Sequence, residues 1–237
     1  ITDTRIEGKP ELVAYYKKKI KEGMTHQNAR YAAMVHTLDE DIGRLLAKVD
    51  ELGIADNTIV VFYSDNGGFD QVRDDEQVTN NAPLRSGKGS AYEGGIRVPL
   101  IVRWPGVTAT NAVCDVPVTS MDFYPTILEV KAEKVLDGVS LTPVLRDPKG
   151  TLPREDLHWH YPHYYFTTTP VTAIRHGDWK LIEYYEEGRQ ELYNLKEDLG
   201  ETKDLSKDKP EITHDLHERL DDWRKEVNAQ LPTKNTP

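Results

Sequence analysis

Asp65-Asn66-Gly67-Gly68 and, further on, Gly87-Lys88-Gly89 are the places in this 237-residue sequence where residue types and spacing could do chemistry. Asp65 and Asn66 offer hard oxygen ligands of the kind a divalent cation takes, and the two glycines let the backbone turn away at positive φ. Lys88 stands between glycines, in a loop that can bring an ammonium close to an anion. Each has a plain alternative. Asn-Gly is also the commonest short hairpin turn, and most surface lysines are merely solvated.

The elements around these residues must position them. Thr58 to Ser64 is a continuous β-branched and aromatic run, apolar on both faces, which suits a central parallel strand. Asp65 follows at its carboxyl end, where ligands sit in open α/β sheets. A second apolar run, Leu100 to Pro105, leaves the glycine-rich stretch. Upstream, an extended lead-in over Ile1 to Gly8 precedes a helix over Glu11 to Lys21 opened by Pro10. Thr25 to Leu52 reads as a long helix closed by Gly53. Its Val35, Leu38, Ile42, Leu45 and Val49 step by three and four, a stripe expected to face a core, with His36 beside it as a packing residue. Phe69 to Ala82 is acidic and aperiodic, a mobile loop near the site or a solvated surface loop.

Downstream, a helix is entered at Ser120, with Pro125 near its first turn. The Pro/Gly/charge-rich stretch Arg146 to Pro153 looks like a boundary, dividing the chain into 1–150 and 151–237. Beyond it, Val171–Arg175, Trp179–Tyr185 and Gln190–Tyr193 read as short antiparallel strands. Pro210 opens a last helix with Leu216, Leu220, Trp223 and Val227 as its buried stripe, and a frayed tail starts at Pro232.

Composition narrows the classes. A net charge of −10 argues against nucleic acid or an anionic membrane as partner. No apolar run is long enough to span a bilayer. The single cysteine, Cys114, excludes an internal disulfide and a cysteine-based zinc cluster. The chain begins with Ile1 and shows no signal-peptide pattern, so further chain is expected to have preceded it.

Ser64-Asp-Asn-Gly-Gly68, with the run PLRSGKGSAYEGGIRVPLIVRWPG from Pro83 to Gly106, resembles the sulfatase family, the arylsulfatase-like branch of the alkaline phosphatase superfamily. The match is strong there and looser over nearly all the chain. The resemblance implies an α/β sandwich with a mostly parallel sheet, of which 1–150 is the C-terminal part of the catalytic domain. It makes 151–237 a small subdomain, an antiparallel sheet covered by a helix. It implies hydrolysis of sulfate esters, of a sulfated carbohydrate or an aryl sulfate, with Asp65 and Asn66 ligating a divalent cation, usually calcium, and Lys88 contacting the sulfate group. Arg85, Glu93 and Arg97 read as framework support, and Asp122 as structural.

The chain departs from the family in one respect. The family's nucleophile is a formylglycine made from Cys or Ser in a C/S-x-P-x-R context. Cys114 is followed by Asp115-Val116-Pro117, with proline one place too late and no arginine after it, and no serine fits. The paired aspartates that complete the cation shell are absent as well. The expectation is therefore an N-terminal half of the fold lying elsewhere, no turnover by this chain alone, and weak cation binding. The implied partner is a sulfated small molecule or glycan, and the implied location periplasmic or secreted. Two alternatives stand: a non-catalytic module that binds sulfated glycans, and a phosphonate or phosphate ester hydrolase of the same superfamily.

His158-Trp-His-Tyr-Pro-His-Tyr-Tyr165 is unusual in composition. On a strand, His158 and His160 share a face, but no third ligand at a recognisable spacing makes them a zinc site. They fit a carbohydrate-facing rim contacting substrate, and equally an aromatic seam between subdomains.

Overall fold

Pro10 supplies a fixed φ and no N–H, which suits the first position of a helix, and helix α1 runs Pro10–Lys19. The coordinates are a computed structural model describing residues 6–128 and 136–233. The lead-in over Ile1 to Arg5 and the tail from Lys234 lie outside the described residues. The chain divides into two compact units. One comprises Ile1–Lys48, Ser64–Pro99 and His158–Pro237, the other Val49–Tyr63 and Leu100–Leu157. The boundary expected at Arg146–Pro153 falls inside the second unit.

In the first unit, helix α2 (Ala29–Glu51) is mostly contained. It starts later than the expected Thr25 because Asn28 caps it, Oδ1 accepting the Tyr31 N–H at 2.9 Å. Ala33 is fully buried, and a Cβ on Gly8 would stand 2.5 Å from Ala33 Cβ, so the chain before α1 packs directly on α2. Tyr16 donates to or accepts from His36 Nδ1 at 3.1 Å. The stripe expected to face a core does not do so within this chain: Val35, Leu38 and Leu45 are exposed, Leu45 at 64%. Periodicity shows that a helix face is apolar, and leaves open which residues cover it.

The acidic segment after the Asp65 loop is ordered as a small hairpin. Strands β2 (Val72–Arg73) and β3 (Glu76–Gln77) pair antiparallel around Asp74 and Asp75, both at positive φ. Arg30 holds it through Asp74 at 2.8 Å, and Val78 is buried behind it.

Helix α3 (Glu93–Ile96) leaves the glycine-rich loop. In the second unit, strand β1 (Val60–Tyr63) pairs antiparallel with β4 (Leu100–Arg103), Val60 opposite Arg103. This corrects the parallel expectation for Thr58 to Ser64. An apolar run on both faces reports burial, whereas direction follows from how the intervening chain returns. Here it returns through Pro99, next to its own starting point. Helices α4 (Phe123–Leu128) and α5 (Thr142–Arg146) complete this unit. Asp122 organises it. Fully buried, it accepts two bonds from Arg154 at 2.6 and 2.9 Å, one from the Thr119 N–H at 2.8 Å and one from the Val139 N–H at 3.0 Å. The cap is Thr119, one residue before the expected Ser120, its N–H held by the Asp122 carboxylate and its carbonyl accepting the Asp122 N–H at 3.1 Å.

The remaining elements are β5 (Asp156–Tyr161), β6 (Val171–His176), β7 (Trp179–Tyr184), β8 (Arg189–Asn194) and α6 (Pro210–Glu226). The four strands form a sheet in the order β5-β6-β7-β8, with antiparallel registers such as Ala173 to Ile182 and Leu181 to Leu192. Left-handed Gly177 and Gly188 make its tight turns. Side chains alternate across it. Ile174, Leu181 and Leu192 meet Leu216 and Leu220 of α6. Val171, Ala173, Ile182, Tyr184 and Tyr193 meet Ala91 and Tyr92 of the glycine-rich loop. Val227, expected in the buried stripe of α6, is exposed because the helix ends at Glu226. The described residues mix helices and sheets, with a four-stranded antiparallel sheet covered by a helix.

Candidate active site

The Asp65 and Lys88 loops, separate in sequence, are bonded to one another in the first unit. The Gly67 N–H donates to the Gly95 carbonyl at 2.9 Å, and the Lys88 N–H to the Gly68 carbonyl at 3.0 Å. This close approach explains a glycine: a Cβ on Gly67 would stand 1.7 Å from Gly94 O. Ser64 Oγ donates to the Asn66 carbonyl at 2.8 Å, pinning the turn.

Asn81, which the sequence offers no pattern to single out, ties the two loops together. Its Nδ2 donates to Gly68 O at 3.0 Å and to Ser86 O at 2.9 Å. Replacing Asn81 with alanine strips both carbonyls of a donor. A stability loss of about 1–3 kcal/mol is expected, read as a lowered urea midpoint with unchanged slope. An unchanged midpoint would mean that water replaces the amide without cost.

The Lys88 loop is fastened to the four-stranded sheet by buried charge. Lys180 Nζ on β7 donates to Glu93 Oε1 at 2.9 Å and to Glu201 Oε1 at 2.8 Å. Glu201 Oε2 accepts the Glu93 N–H at 2.6 Å. All three side chains are 2% exposed or less. Burial pushes the Glu201 carboxyl above the ordinary range, partly offset by Lys180. Arg97 approaches Glu93 at 3.6 Å. Alongside, Arg85 lies 3.9 Å from the Tyr92 ring centroid and donates to Tyr193 Oη at 3.0 Å and Glu201 O at 2.9 Å. The Tyr92 and Tyr193 hydroxyls both donate to Glu191 Oε2, at 2.7 and 2.9 Å. Arg85, Glu93 and Arg97 thus have framework contacts, while their partners Lys180, Glu191 and Glu201 carry no motif in sequence.

Asp65 is exposed and Asn66 half-buried. The Asn66 amide nitrogen donates to the Gly67 carbonyl at 3.0 Å, which turns its oxygen away from that bond. The two side chains have the hard-oxygen chemistry a calcium ion takes, but calcium takes about 6–8 oxygens. Among the described residues no group of three His, Cys, Asp or Glu side chains is placed to hold a metal ion. The pair can contribute to a cation shell and cannot complete one. Lys88 is half-buried, and its carbonyl accepts from Thr167 Oγ1 at 2.9 Å.

His158 and His160 sit among aromatic residues. His158 stacks flat on Trp223, centroids 4.5 Å apart and planes 1° apart. His160 Nδ1 bonds Thr172 Oγ1 at 2.8 Å, and its Nε2 donates to Gln230 O at 2.9 Å. Both ring nitrogens of His160 are engaged inside the chain, and the two histidines pack between β5 and α6. Cys114 is an exposed free thiol.

The chain is similar to known proteins over nearly its whole length. The sulfatase family model matches residues 7–131, and the model for the C-terminal part of N-sulphoglucosamine sulphohydrolase matches residues 87–226. A sulfatase of Formosa agariphila is 39% identical over 96% of this chain and 44% of its own length. The crystal structure of Ps i-CgsB in complex with k-i-k-neocarrahexaose superposes with a TM-score of 0.75 at 30% identity, over 93% of this chain and 47% of the other. The structure of BT4656 with its substrate D-glucosamine-2-N,6-O-disulfate gives 0.68 at 26%, over 96% and 47%. The chain spans about half the length of the relatives it matches.

Proposed function

Because this chain belongs to the sulfatase family, we propose that it works as part of a longer sulfatase that hydrolyses sulfate esters of carbohydrates. The observation that carries this is the backbone bonding of the Asp65 and Lys88 loops into one unit, which sets two oxygen donors and an ammonium on a shared scaffold. In that role Lys88 balances negative charge on the sulfate group as the ester bond breaks. Asp65 and Asn66 supply two of the oxygens that hold a divalent cation, calcium by the chemistry of the donors. Such a cation, when bound, polarises the sulfuryl oxygens. The buried Glu93–Lys180–Glu201 cluster keeps the loop bearing Lys88 in place against the sheet.

A carbohydrate substrate is supported by two structural relatives, Ps i-CgsB in complex with k-i-k-neocarrahexaose and BT4656 in complex with its substrate D-glucosamine-2-N,6-O-disulfate. The exposed apolar faces of α2, at Val35, Leu38 and Leu45, and of β1–β4, at the paired Phe62 and Ile101, support packing against the remainder of the longer protein. That remainder is also the proposed source of the nucleophile and the other cation ligands. A periplasmic or secreted location belongs to the same reading. Among the described residues no helix is long and apolar enough to cross a membrane.

The test is release of inorganic sulfate from sulfated sugars by the full-length protein and, separately, by the 237-residue chain. Multiple turnover by the first and none by the second is the expected result. Turnover by the chain alone would place the nucleophile within it and overturn the division of the site.

A further inference from the structure

Between β5 and β6 the chain makes a tight hairpin that docks on the Lys88 loop. Tyr165 and Thr168 exchange backbone hydrogen bonds at 3.0 and 3.2 Å around Phe166 and Thr167. Thr167 Oγ1 donates to the carbonyl of Lys88 at 2.9 Å. The Tyr165 ring lies against Gly89, where a Cβ would come within 2.1 Å of Tyr165 Cδ1 and where φ is +86°. The hairpin is thereby anchored at two successive residues, Lys88 and Gly89. Its aromatic side chains divide. Tyr165 is half-buried as the anchor, while Phe166 is 79% exposed and Tyr164 68% exposed. Tyr164 donates its hydroxyl to Glu186, which holds the ring. Phe166 packs on the edge of Tyr165, centroids 5.2 Å apart.

We propose that Phe166 and Tyr164 form the stacking platform for the pyranose ring that bears the sulfate ester, so that these two residues set substrate preference. This rests on the assignment of Lys88 to the sulfate group. A sulfate held at Lys88 leaves its parent ring one ester bond away, and the hairpin is tied to that residue's own carbonyl. A pyranose offers an apolar C–H face to an aromatic ring and hydroxyls around its edge. Phe166 matches the first, and Tyr164, with a polar tip already engaged by Glu186, adds a second ring without an unpaired hydroxyl. The platform lies four to eight residues beyond the histidines that the sequence suggests for a rim, since the rings of His158 and His160 are engaged by Trp223, Thr172 and Gln230.

The experiment compares Phe166→Ala, Tyr164→Ala and the double variant with wild type in the full-length protein, using a panel of pyranose sulfates, 4-nitrophenyl sulfate and ring-free ethyl sulfate. The expected result is a KM for the preferred pyranose sulfate raised about 3- to 10-fold by Phe166→Ala, the worth of one aromatic contact. kcat should change little, KM for ethyl sulfate should not move, and Phe166→Trp should restore the wild-type value. An unchanged KM on the sugar, or an equal rise on ethyl sulfate, overturns the proposal. A rise confined to 4-nitrophenyl sulfate overturns the carbohydrate assignment. A melting temperature lowered by several degrees in Phe166→Ala would make the residue a packing contact and overturn it too. Wild-type protein that releases sulfate from no ester overturns the sulfatase reading itself, an outcome distinct from all of these.

Discussion

Replacing Lys180 with methionine should cost about 3–5 kcal/mol, because it leaves two buried carboxylates without their cation. Lys180 is fully buried, and its ammonium bridges the carboxylates of Glu93 and Glu201, 2% and 0% exposed. Methionine fills much of the same volume, so the loss reports charge and not a cavity. The measurement is the urea midpoint of Lys180→Met against wild type. A change under about 1 kcal/mol would show that the carboxylates already share a proton and need no cation. The same cluster fixes a pH dependence. Burial raises the Glu201 pKa above its ordinary 4.5, so the folded state binds that proton more readily than the unfolded one. Its contribution is then fully present below 4.5 and declines as pH rises through the raised folded value. Glu201→Gln should flatten that part of the stability-versus-pH curve. An identical slope in the variant would assign the dependence to other groups.

Lys88→Ala in the full-length protein should lower kcat for a sulfate ester by about 10²–10³-fold, the cost of removing one preorganised charge-balancing group. Stability should scarcely change. Two bonds that seat residue 88 are made by its backbone: its N–H to Gly68 O at 3.0 Å and its carbonyl from Thr167 Oγ1 at 2.9 Å. Alanine keeps both. Lys88→Arg should recover part of the rate, since it restores charge with a different donor geometry. Full activity in Lys88→Ala would remove this residue from sulfate recognition, and with it the reason to place a substrate platform on the neighbouring hairpin. The two predictions separate cleanly, one expected in stability and the other in rate.

Local pattern was enough for much of this protein. The strands β6, β7 and β8 and the helix α6 lie within a residue or two of where alternation, glycine turns and Pro210 put them. These signals depend on side chains a few positions apart, which a sequence displays directly. The Asp65 and Lys88 loops were legible for a related reason: unusual glycines among polar residues mark places where backbone must come close to something. What they come close to was not legible. Gly67 needs no side chain because Gly94 stands against it, a contact made across the fold.

Tertiary structure alone decided the rest. It paired β1 with β4 antiparallel, since the direction of a partner depends on the path of the chain between them. It left the α2 stripe exposed, since an apolar face carries no record of what covers it. It brought Lys180 and Glu201 to Glu93 across separations of 87 and 108 residues, where no spacing rule connects them. It also engaged both ring nitrogens of His160 within the chain and tied the hairpin of Tyr165 and Thr167 to Lys88 and Gly89. A side chain's type and its neighbours in sequence say what chemistry it can do; only its partners in space say whether that chemistry is spent on holding the fold or is left for a substrate.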